Sequence, residues 1–253
     1  MLALDTELKE SIREKWDESS QSYDSLHGHG IKSKEERDAW KNMLETVLPR
    51  GRLKILDVGC GTGELSLLLE GMGHQITGID LSDEMLSVAR SKAKASQLKA
   101  RFMTGDAESL NFDDESFDAV INRHLLWTLP HHDLALREWK RVLTKVGRVI
   151  IIDGLWMNYS LENKLRRLIG DLSVIILERQ NPRKGWYSKK TEAKLPHPRG
   201  MDAKVTREYL EEAGLTEIEL RDLDDIMEIQ KKHMPFSQKI THNSTCYMIC
   251  GQK

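Results

Sequence analysis

The sequence predicts an α/β protein in which helices cover both faces of a mostly parallel sheet. From residue 53 onward, short apolar runs alternate with longer amphipathic segments, which is typical of strands connected by helices. The clearest unit is the buried run 54–58, followed by glycines at positions 59, 61 and 63 and then by a helix. Such a turn lets the backbone approach a ligand closely, and the helix start adds free N–H groups and partial positive charge.

The same patterns assign the remaining elements in chain order. Residues 1–50 predict a cap of helices joined by a loop over 19–31. The further strands are expected at 76–80, 100–104, 117–121, 148–153, 216–223 and 245–251. The further helices are expected at 83–95, 134–143, 161–179 and 205–214. Residues 154–203 depart from the alternation, so we expect a helical and irregular insertion within one domain that spans 1–253.

Size and composition restrict the function. The net charge of −2 over 253 residues predicts no general attraction to nucleic acid or to a membrane surface. No apolar run is long enough to span a membrane, and the charged, amphipathic start is unlike a signal peptide. Three cysteines predict no disulfide framework, so we expect a reducing, cytoplasmic location.

Three acidic residues accompany the predicted strand ends. Asp80 is placed to accept hydrogen bonds from two ribose hydroxyls, and Asp106 from the exocyclic amine of adenine, although a simple turn role also explains Asp106. Asp57 would repel a pyrophosphate and suits a ligand with a cationic amino acid end. The dinucleotide pattern fails because Glu64 stands where its third glycine is needed, and no P-loop pattern occurs.

The motif Asp-Val-Gly-Cys-Gly-Thr-Gly at 57–63 closely resembles the first motif of class I S-adenosylmethionine-dependent methyltransferases. Residues 80–90 resemble the second block of that family, and Trp-Asp-x-x-Ser-x-x-Tyr-Asp at 16–24 resembles its N-terminal approach segment. The resemblance is nearest to the type 11 group, which includes ubiquinone- and menaquinone-pathway enzymes. It implies a Rossmann-like sheet of seven strands in the order 3-2-1-4-5-7-6, ending in an antiparallel hairpin.

The resemblance also implies the cofactor and its binding residues. S-adenosyl-L-methionine would donate the methyl group and leave as S-adenosyl-L-homocysteine. The residues expected to bind it are Tyr23, Asp57, Gly59, Cys60, Gly61, Gly63, Asp80, Leu81, Met85, Asp106, Ala107, Asn122 and Arg123.

His124 is the candidate catalytic residue, because it follows the fourth strand at the point where the strand order reverses. As a general base it would suit an acidic N–H or O–H nucleophile. Alternatively, it only hydrogen-bonds a neighbouring carbonyl. The side chains expected to line the acceptor pocket are His29, Trp127, Trp156 and Tyr159.

The remaining histidines suggest no further chemistry. His27 and His29 have no Cys, Asp or Glu near them at the spacing of a metal site, so no metal is expected. His131 and His132 are expected to be solvated at the start of a helix.

The insertion leaves the carboxyl end of the fifth strand, so we expect it to form a lid that selects the substrate. Between positions 158 and 204 it carries eleven basic residues against five acidic ones. The first prediction for the acceptor is a small molecule. A protein side chain is the second and RNA the third, the latter through the basic insertion. A different alternative is an inactive cofactor-binding subunit that serves as a partner.

Overall fold

A computed structural model describes residues 2–26, 28–155, 187–235, 239 and 245–253. The strands are β1 (Lys54–Val58), β2 (Gln75–Asp80), β3 (Arg101–Thr104), β4 (Phe117–Arg123), β5 (Leu143–Leu155), β6 (Thr216–Asp222) and β7 (Thr245–Gln252). The helices are α1 (Leu2–Ser19), α2 (Lys34–Val47), α3 (Glu64–Gly71), α4 (Asp83–Ala95), α5 (His132–Val142), α6 (Lys189–Glu192), α7 (Ala203–Glu212) and α8 (Asp224–Lys232). Short 3₁₀ turns lie at Tyr23–Ser25 and Leu126–Thr128.

The seven strands form one sheet in the order β3-β2-β1-β4-β5-β7-β6. The first five strands are parallel to their neighbours, whereas β7 runs antiparallel to both β5 and β6. The implied strand order and the final antiparallel hairpin are both confirmed. Because the chain passes from β1 to one side of the sheet and returns through β4 to the other, a crevice opens where the carboxyl ends of these two strands meet.

Apolar side chains pack helices against both faces of the sheet, as predicted. On one face, α1, α5 and α7 bury residues such as Ile12, Trp139 and Leu210 against the strands. On the other face, α2, α3 and α8 do the same, for example with Leu44 and Ile226. The ends of β1 and β4 therefore lie between two apolar layers, which support the crevice rigidly.

Side-chain caps set where several helices begin. Ser33 accepts a hydrogen bond from the Glu36 N–H at the start of α2, and Ser82 accepts one from the Met85 N–H at the start of α4. Such caps satisfy N–H groups that have no partner within the helix. Since Ser82 comes two residues after Asp80, its cap also determines how the chain leaves β2 at the crevice.

The structure differs from the sequence prediction in two elements. Strand β5 starts at Leu143, which pairs with Phe117 across a register shift, so the chain joins the sheet directly after α5 rather than at residue 148. Helix α8 was not predicted, because its few apolar positions lie in a short, highly charged stretch. The helix expected over 161–179 lies outside the described residues.

The described residues contain no candidate membrane helix and no disulfide bond. None of their helices is long and apolar enough to cross a bilayer. Cys60, Cys246 and Cys250 are all free thiols.

Trp139 links the core to the loop after β3. Its side chain is fully buried, and its Nε1–H donates to the Ala107 carbonyl at 3.0 Å. Trp139→Phe removes that donor and some packing volume, so we expect the free energy of unfolding to fall by about 1–3 kcal/mol in urea titrations. The matched control is Arg137→Ala in the same helix, whose side chain is 72% exposed. A loss for Trp139→Phe no larger than that for the control would contradict this account.

Candidate functional site

A cavity lies at the carboxyl ends of β1 to β4 and receives residues from the loop after each of these strands. Helix α1 and the turn at Tyr23 close it from the opposite side. The predicted site residues that line it are Tyr23, Gly59, Gly61, Asp80, Leu81, Met85, Asp106, Ala107, Arg123 and His124. A smaller adjoining cavity brings in His29, Asp57 and Cys60. The structure therefore brings together most of the residues that the sequence selected.

The glycine-rich turn after β1 adopts a conformation that requires glycine. Gly59, Gly61 and Gly63 have φ angles of +67°, +52° and +79°, which is the left-handed region where other residues are strained. A Cβ on Gly59 would also lie 2.7 Å from a methyl carbon of Leu125. The turn is bound to the neighbouring strand, because the Cys60 N–H donates to the Ile79 carbonyl at 2.9 Å. Its backbone therefore forms a fixed floor of the cavity.

Asp80 is held by main-chain donors at the end of β2. One carboxylate oxygen accepts the Gly61 N–H at 2.9 Å, and the other accepts the Ser82 N–H at 2.9 Å. Burial raises the pKa of Asp80, whereas these backbone hydrogen bonds lower it. The carboxylate thus has a defined orientation toward the cavity, and each of its oxygens keeps acceptor capacity for a ligand hydroxyl.

Asp57 lies deeper, on the β1 strand beneath the turn. Its side chain is 2% exposed, and it accepts a hydrogen bond from the Ser66 hydroxyl at 2.6 Å. Burial raises its pKa to about 7, although the hydrogen bond from Ser66 acts in the opposite direction. A nearby cationic group would favour the ionised form of this carboxyl.

The loop after β3 has a partner that the sequence did not reveal. Asp106 accepts the Glu108 N–H at 2.9 Å and a hydrogen bond from the Lys9 ammonium at 2.7 Å. Lys9 lies on α1, nearly one hundred residues earlier in the chain, and it also lines the cavity. Its contact with Asp106 depends on how α1 packs across the sheet, so no local pattern marked it.

His124 has a constrained backbone at the end of β4. Its φ is +59°, and its N–H donates to the Ile152 carbonyl at 2.8 Å. A non-glycine residue in this region is strained, and such strain is concentrated at functional sites. The backbone therefore directs the chain abruptly out of the sheet at the reversal of the strand order.

The two histidines of the site are neutral. The His29 and His124 rings lie edge to face at 5.5 Å, and Tyr23 lies 4.4 Å from His29. Burial, followed by the positive charge of Arg123, lowers the pKa of His29 to about 3 and that of His124 well below its ordinary value. A hydrogen bond between the His124 ring and the Gly28 main chain acts in the opposite direction. Both imidazoles are therefore unprotonated at neutral pH, and the lowered pKa values make them weak bases.

Arg123 holds the loop that carries His29. Its guanidinium donates to the carbonyls of Gly28 and His29, and it lies over the Trp40 ring at 5.0 Å from the ring centre. These two hydrogen bonds thus hold the backbone at Gly28 and His29 close to the carboxyl end of β4. Its charge also supplies a positive potential in the adjoining cavity.

Several predicted residues lie away from both cavities. Gly63 precedes α3, where a Cβ would lie 3.0 Å from atoms of Ala89 and Phe102, so packing as well as its positive φ requires glycine there. Asn122 is fully buried within β4, and Trp127 packs against Tyr187 with ring centres 5.7 Å apart. The two other pocket candidates, Trp156 and Tyr159, lie outside the described residues.

The prediction that His132 is solvated is wrong. Its ring is buried, with Nε2 2.8 Å from the Leu126 carbonyl oxygen, and it stacks on Tyr209 with ring centres 5.0 Å apart. The first turn of α5 faces α7, which covers this side chain. Sequence alone does not show which helix end is covered by a later helix.

Part of the basic insertion is described, from residue 187 onward. Lys190 and Lys194 form ion pairs with Glu7 of α1 at 2.7 and 3.1 Å. Tyr187 packs edge to face on Trp16, with ring centres 6.1 Å apart. This part of the insertion therefore lies against α1, and two of its positive charges are already paired.

Comparisons with known proteins agree with this geometry. Residues 56–151 match the family model described as a methyltransferase domain. The demethylmenaquinone methyltransferase of Staphylococcus aureus (strain MRSA252) is 36% identical over 149 residues, covering 57% of this chain and 61% of that protein. The enzyme of strain JH9 aligns with the same identity and coverage. The chain thus spans about three fifths of the length of these relatives.

Solved structures share the fold at low identity. The [4+2]-cyclase SpnF matches with a TM-score of 0.65 and 20% identity, covering 96% of this chain and 94% of that one. The Haemonchus contortus phosphoethanolamine N-methyltransferase 2 in complex with S-adenosyl-L-methionine has a TM-score of 0.63 and 17% identity, covering 96% and 60%. The solved structures show a shared fold, while the family-model match and the relatives support the resemblance of residues 56–151 to the class I S-adenosylmethionine-dependent methyltransferases.

Proposed function

We propose that the protein transfers the methyl group of S-adenosyl-L-methionine to a small-molecule acceptor. The observation that carries this proposal is the placement of Asp57, Asp80 and Asp106 around one glycine-rich turn. The first lies near the end of β1, the second at the end of β2, and the third in the loop after β3. Hydroxyls, an amine and an ammonium group are the donors that such carboxylates accept. A nucleoside joined to an amino acid carries all three.

The residues that line the two cavities support binding of this methyl donor along its whole length. Asp80 would hold the ribose hydroxyls, and Asp106 would accept from the adenine amine. The adenine ring would lie between the apolar side chains of Leu81 and Met85 and the Ala107 backbone. At the other end, Asp57 would balance the ammonium charge.

Further residues complete the proposed cofactor site. Tyr23 and Arg123 would border the amino acid end, since both line the two cavities. Gly59, Cys60 and Gly61 would support it from below through the turn. Asn122 and Gly63 would contribute by shaping β4 and the start of α3.

The chemistry of methyl transfer sets what the protein has to do. The bound donor supplies a methyl group on a positively charged sulfonium. When the methyl group is transferred, a neutral thioether leaves, and this is a good leaving group. The protein therefore has to align the acceptor, exclude water and, where needed, remove a proton. Where a proton has to be removed, the unprotonated imidazole of His124 is the candidate acceptor; its lowered pKa makes it a weak base, and the Gly28 main chain orients its ring.

A small-molecule acceptor is favoured by two observations. The matched relatives are named demethylmenaquinone methyltransferases, so their named acceptor is the first one to assay. In addition, Lys190 and Lys194 are paired with Glu7, which reduces the charge that the insertion offers to RNA. The decisive assay follows transfer of a labelled methyl group to demethylmenaquinone and to small-molecule, protein and RNA fractions.

Calorimetry tests the cofactor site directly. The protein should bind S-adenosyl-L-methionine and S-adenosyl-L-homocysteine but not NAD. Asp80→Asn removes the negative charge that would accept the ribose hydroxyls, and a lost charged hydrogen bond corresponds to about a ten- to hundredfold weaker affinity.

The control is Asp133→Asn, an exposed acid at the start of α5, which should bind like the wild type. Binding of NAD without a response to S-adenosyl-L-homocysteine would refute the proposed cofactor. An unchanged affinity in Asp80→Asn would place the ribose elsewhere.

The pKa of Asp57 makes the stability of the unliganded protein depend on pH. The folded state retains a proton up to about pH 7, whereas the unfolded chain releases it near pH 4, so the native state loses stability as the pH rises between these values. Asp57→Asn cannot ionise and keeps an oxygen for the Ser66 hydroxyl. Its free energy of unfolding relative to wild type should therefore rise by about 4 kcal/mol from pH 4 to pH 8.

Denaturant titrations across this pH range measure the effect, with Asp133→Asn again as control. Parallel curves for Asp57→Asn and wild type would show that Asp57 is ionised in the folded protein. The same variant should bind the donor more weakly, because the ammonium group loses its counter-charge.

His124 can be tested once an acceptor is known. His124→Ala should lower the single-turnover rate by about a hundredfold while leaving the affinity for S-adenosyl-L-homocysteine nearly unchanged. Because the pKa of His124 lies well below its ordinary value, the wild-type rate should not fall as the pH decreases through 6.5. The exposed His233→Ala serves as control. If His124→Ala retains most of its activity with the same pH profile, catalysis rests on alignment alone.

A further inference from the structure

Helix α1 forms the wall of the cavity that faces the strand ends. Lys9, Ile12 and Trp16 line the cavity on successive turns of this helix, and Leu8 and Ile12 are buried in the core on the same side of the sheet. Any ligand held between Asp80 and Asp106 is therefore covered by α1. A bulky donor or product can exchange only if this wall moves or leaves an opening at its edge.

Lys9 connects this wall to the floor of the cavity. Its ammonium group lies 2.7 Å from Asp106 Oδ2 and 2.6 Å from Glu108 Oε2. Burial lowers the pKa of Lys9, but the hydrogen bonds that its ammonium donates to the two carboxylates outweigh burial and raise the pKa. Lys9 is therefore charged and bridges two acids on the loop after β3.

Both carboxylates are oriented for this bridge. The second oxygen of Asp106 accepts the Glu108 N–H, and the second oxygen of Glu108 accepts the His131 N–H at 2.7 Å. The Glu108 side chain is only 2% exposed, so without Lys9 a buried carboxylate would lose its counter-charge. Buried charge pairs of this kind are costly to break from one side.

Helix α1 has further polar contacts, including those of Ser11 with the Thr191 hydroxyl and of Asp5 with His131. Lys190 and Lys194 reach Glu7 at the surface, where exposed ion pairs contribute little. Asp17 accepts a hydrogen bond from the Ser82 hydroxyl at 2.6 Å, next to α4. Among the charged side chains that α1 contributes in the described part of the chain, Lys9 is the one that lines the cavity.

We propose that the Lys9 bridge is a latch on cofactor exchange. With the bridge formed, α1 is held over the adenine end of the site, and Asp106 is shared between Lys9 and the adenine amine. Opening the bridge releases the helix from the loop after β3 and lets the methyl donor enter or the product leave. This inference rests on the proposed function, because it takes Asp106 as the adenine acceptor.

The test follows exchange of isotope-labelled S-adenosyl-L-homocysteine against an excess of unlabelled compound. Lys9→Met removes the two charge-assisted hydrogen bonds, so the dissociation rate should rise about tenfold or more. The association rate of S-adenosyl-L-homocysteine should rise as well, because α1 no longer has to be released from the loop after β3 before the compound enters. Lys9→Arg retains a cation for the same carboxylates and should restore slow exchange.

Two further variants make the result decisive. Lys9→Met combined with Glu108→Gln leaves no unpaired buried charge and should fold well while still exchanging fast. Lys190→Met removes a lysine ion pair between α1 and the insertion that does not face the cavity, and it should exchange like wild type.

The outcomes separate the latch from the proposed function. If the wild type does not bind S-adenosyl-L-homocysteine, the proposed function fails, and the latch fails with it. If the wild type binds but Lys9→Met and the double variant exchange at the wild-type rate, only the latch is overturned. Equal acceleration in Lys190→Met would also overturn it, because any attachment of α1 would then act alike.

Discussion

The site depends on the attachment of the glycine-rich turn to the carboxylate of Asp80. This side chain accepts N–H groups from Gly61 and Ser82, so it joins the turn after β1 to the start of α4. The turn can approach because Gly59 and Gly61 adopt positive φ angles that a side chain would strain. One carboxylate thereby sets the distance between two strand ends, and a ligand finds the acceptor and the backbone floor already in position.

Electrostatics divides the cavity into two parts. The floor from Asp57 to Asp80 is acidic and buried, so it favours a ligand with cationic and donor groups. On the β4 side, burial and Arg123 keep His29 and His124 neutral, so this side of the cavity carries unprotonated imidazoles that are weak bases. A positively charged methyl donor would thus lie between the carboxylates, which attract it, and the imidazoles, which would face the methyl acceptor. The two parts of the cavity therefore differ in charge, with carboxylates on one side and a guanidinium with neutral imidazoles on the other.

The N-terminal segment completes the site from outside the sheet. Lys9 bonds the loop after β3, and the carbonyls of Gly28 and His29 are held by Arg123 from β4. This wall is a separate helix and loop that contributes no strand, so its movement would leave the hydrogen bonds of the sheet intact. In the proposed mechanism, the central strands hold the residues of the site in place, and ligand exchange depends on the covering elements.

The sequence by itself determined the α/β class, the strand order through a family resemblance, and the acids at 57, 80 and 106. The class and the acids follow from local features, since a strand, a turn and a helix start are encoded within a few consecutive residues, whereas the strand order came from the resemblance. Only the tertiary structure decided that Lys9 contacts Asp106, that His132 is covered by α7, and that burial beside Arg123 keeps His124 neutral. Contacts and pKa values of this kind depend on which distant segments pack together, and the order of residues along the chain does not contain that information in a local form.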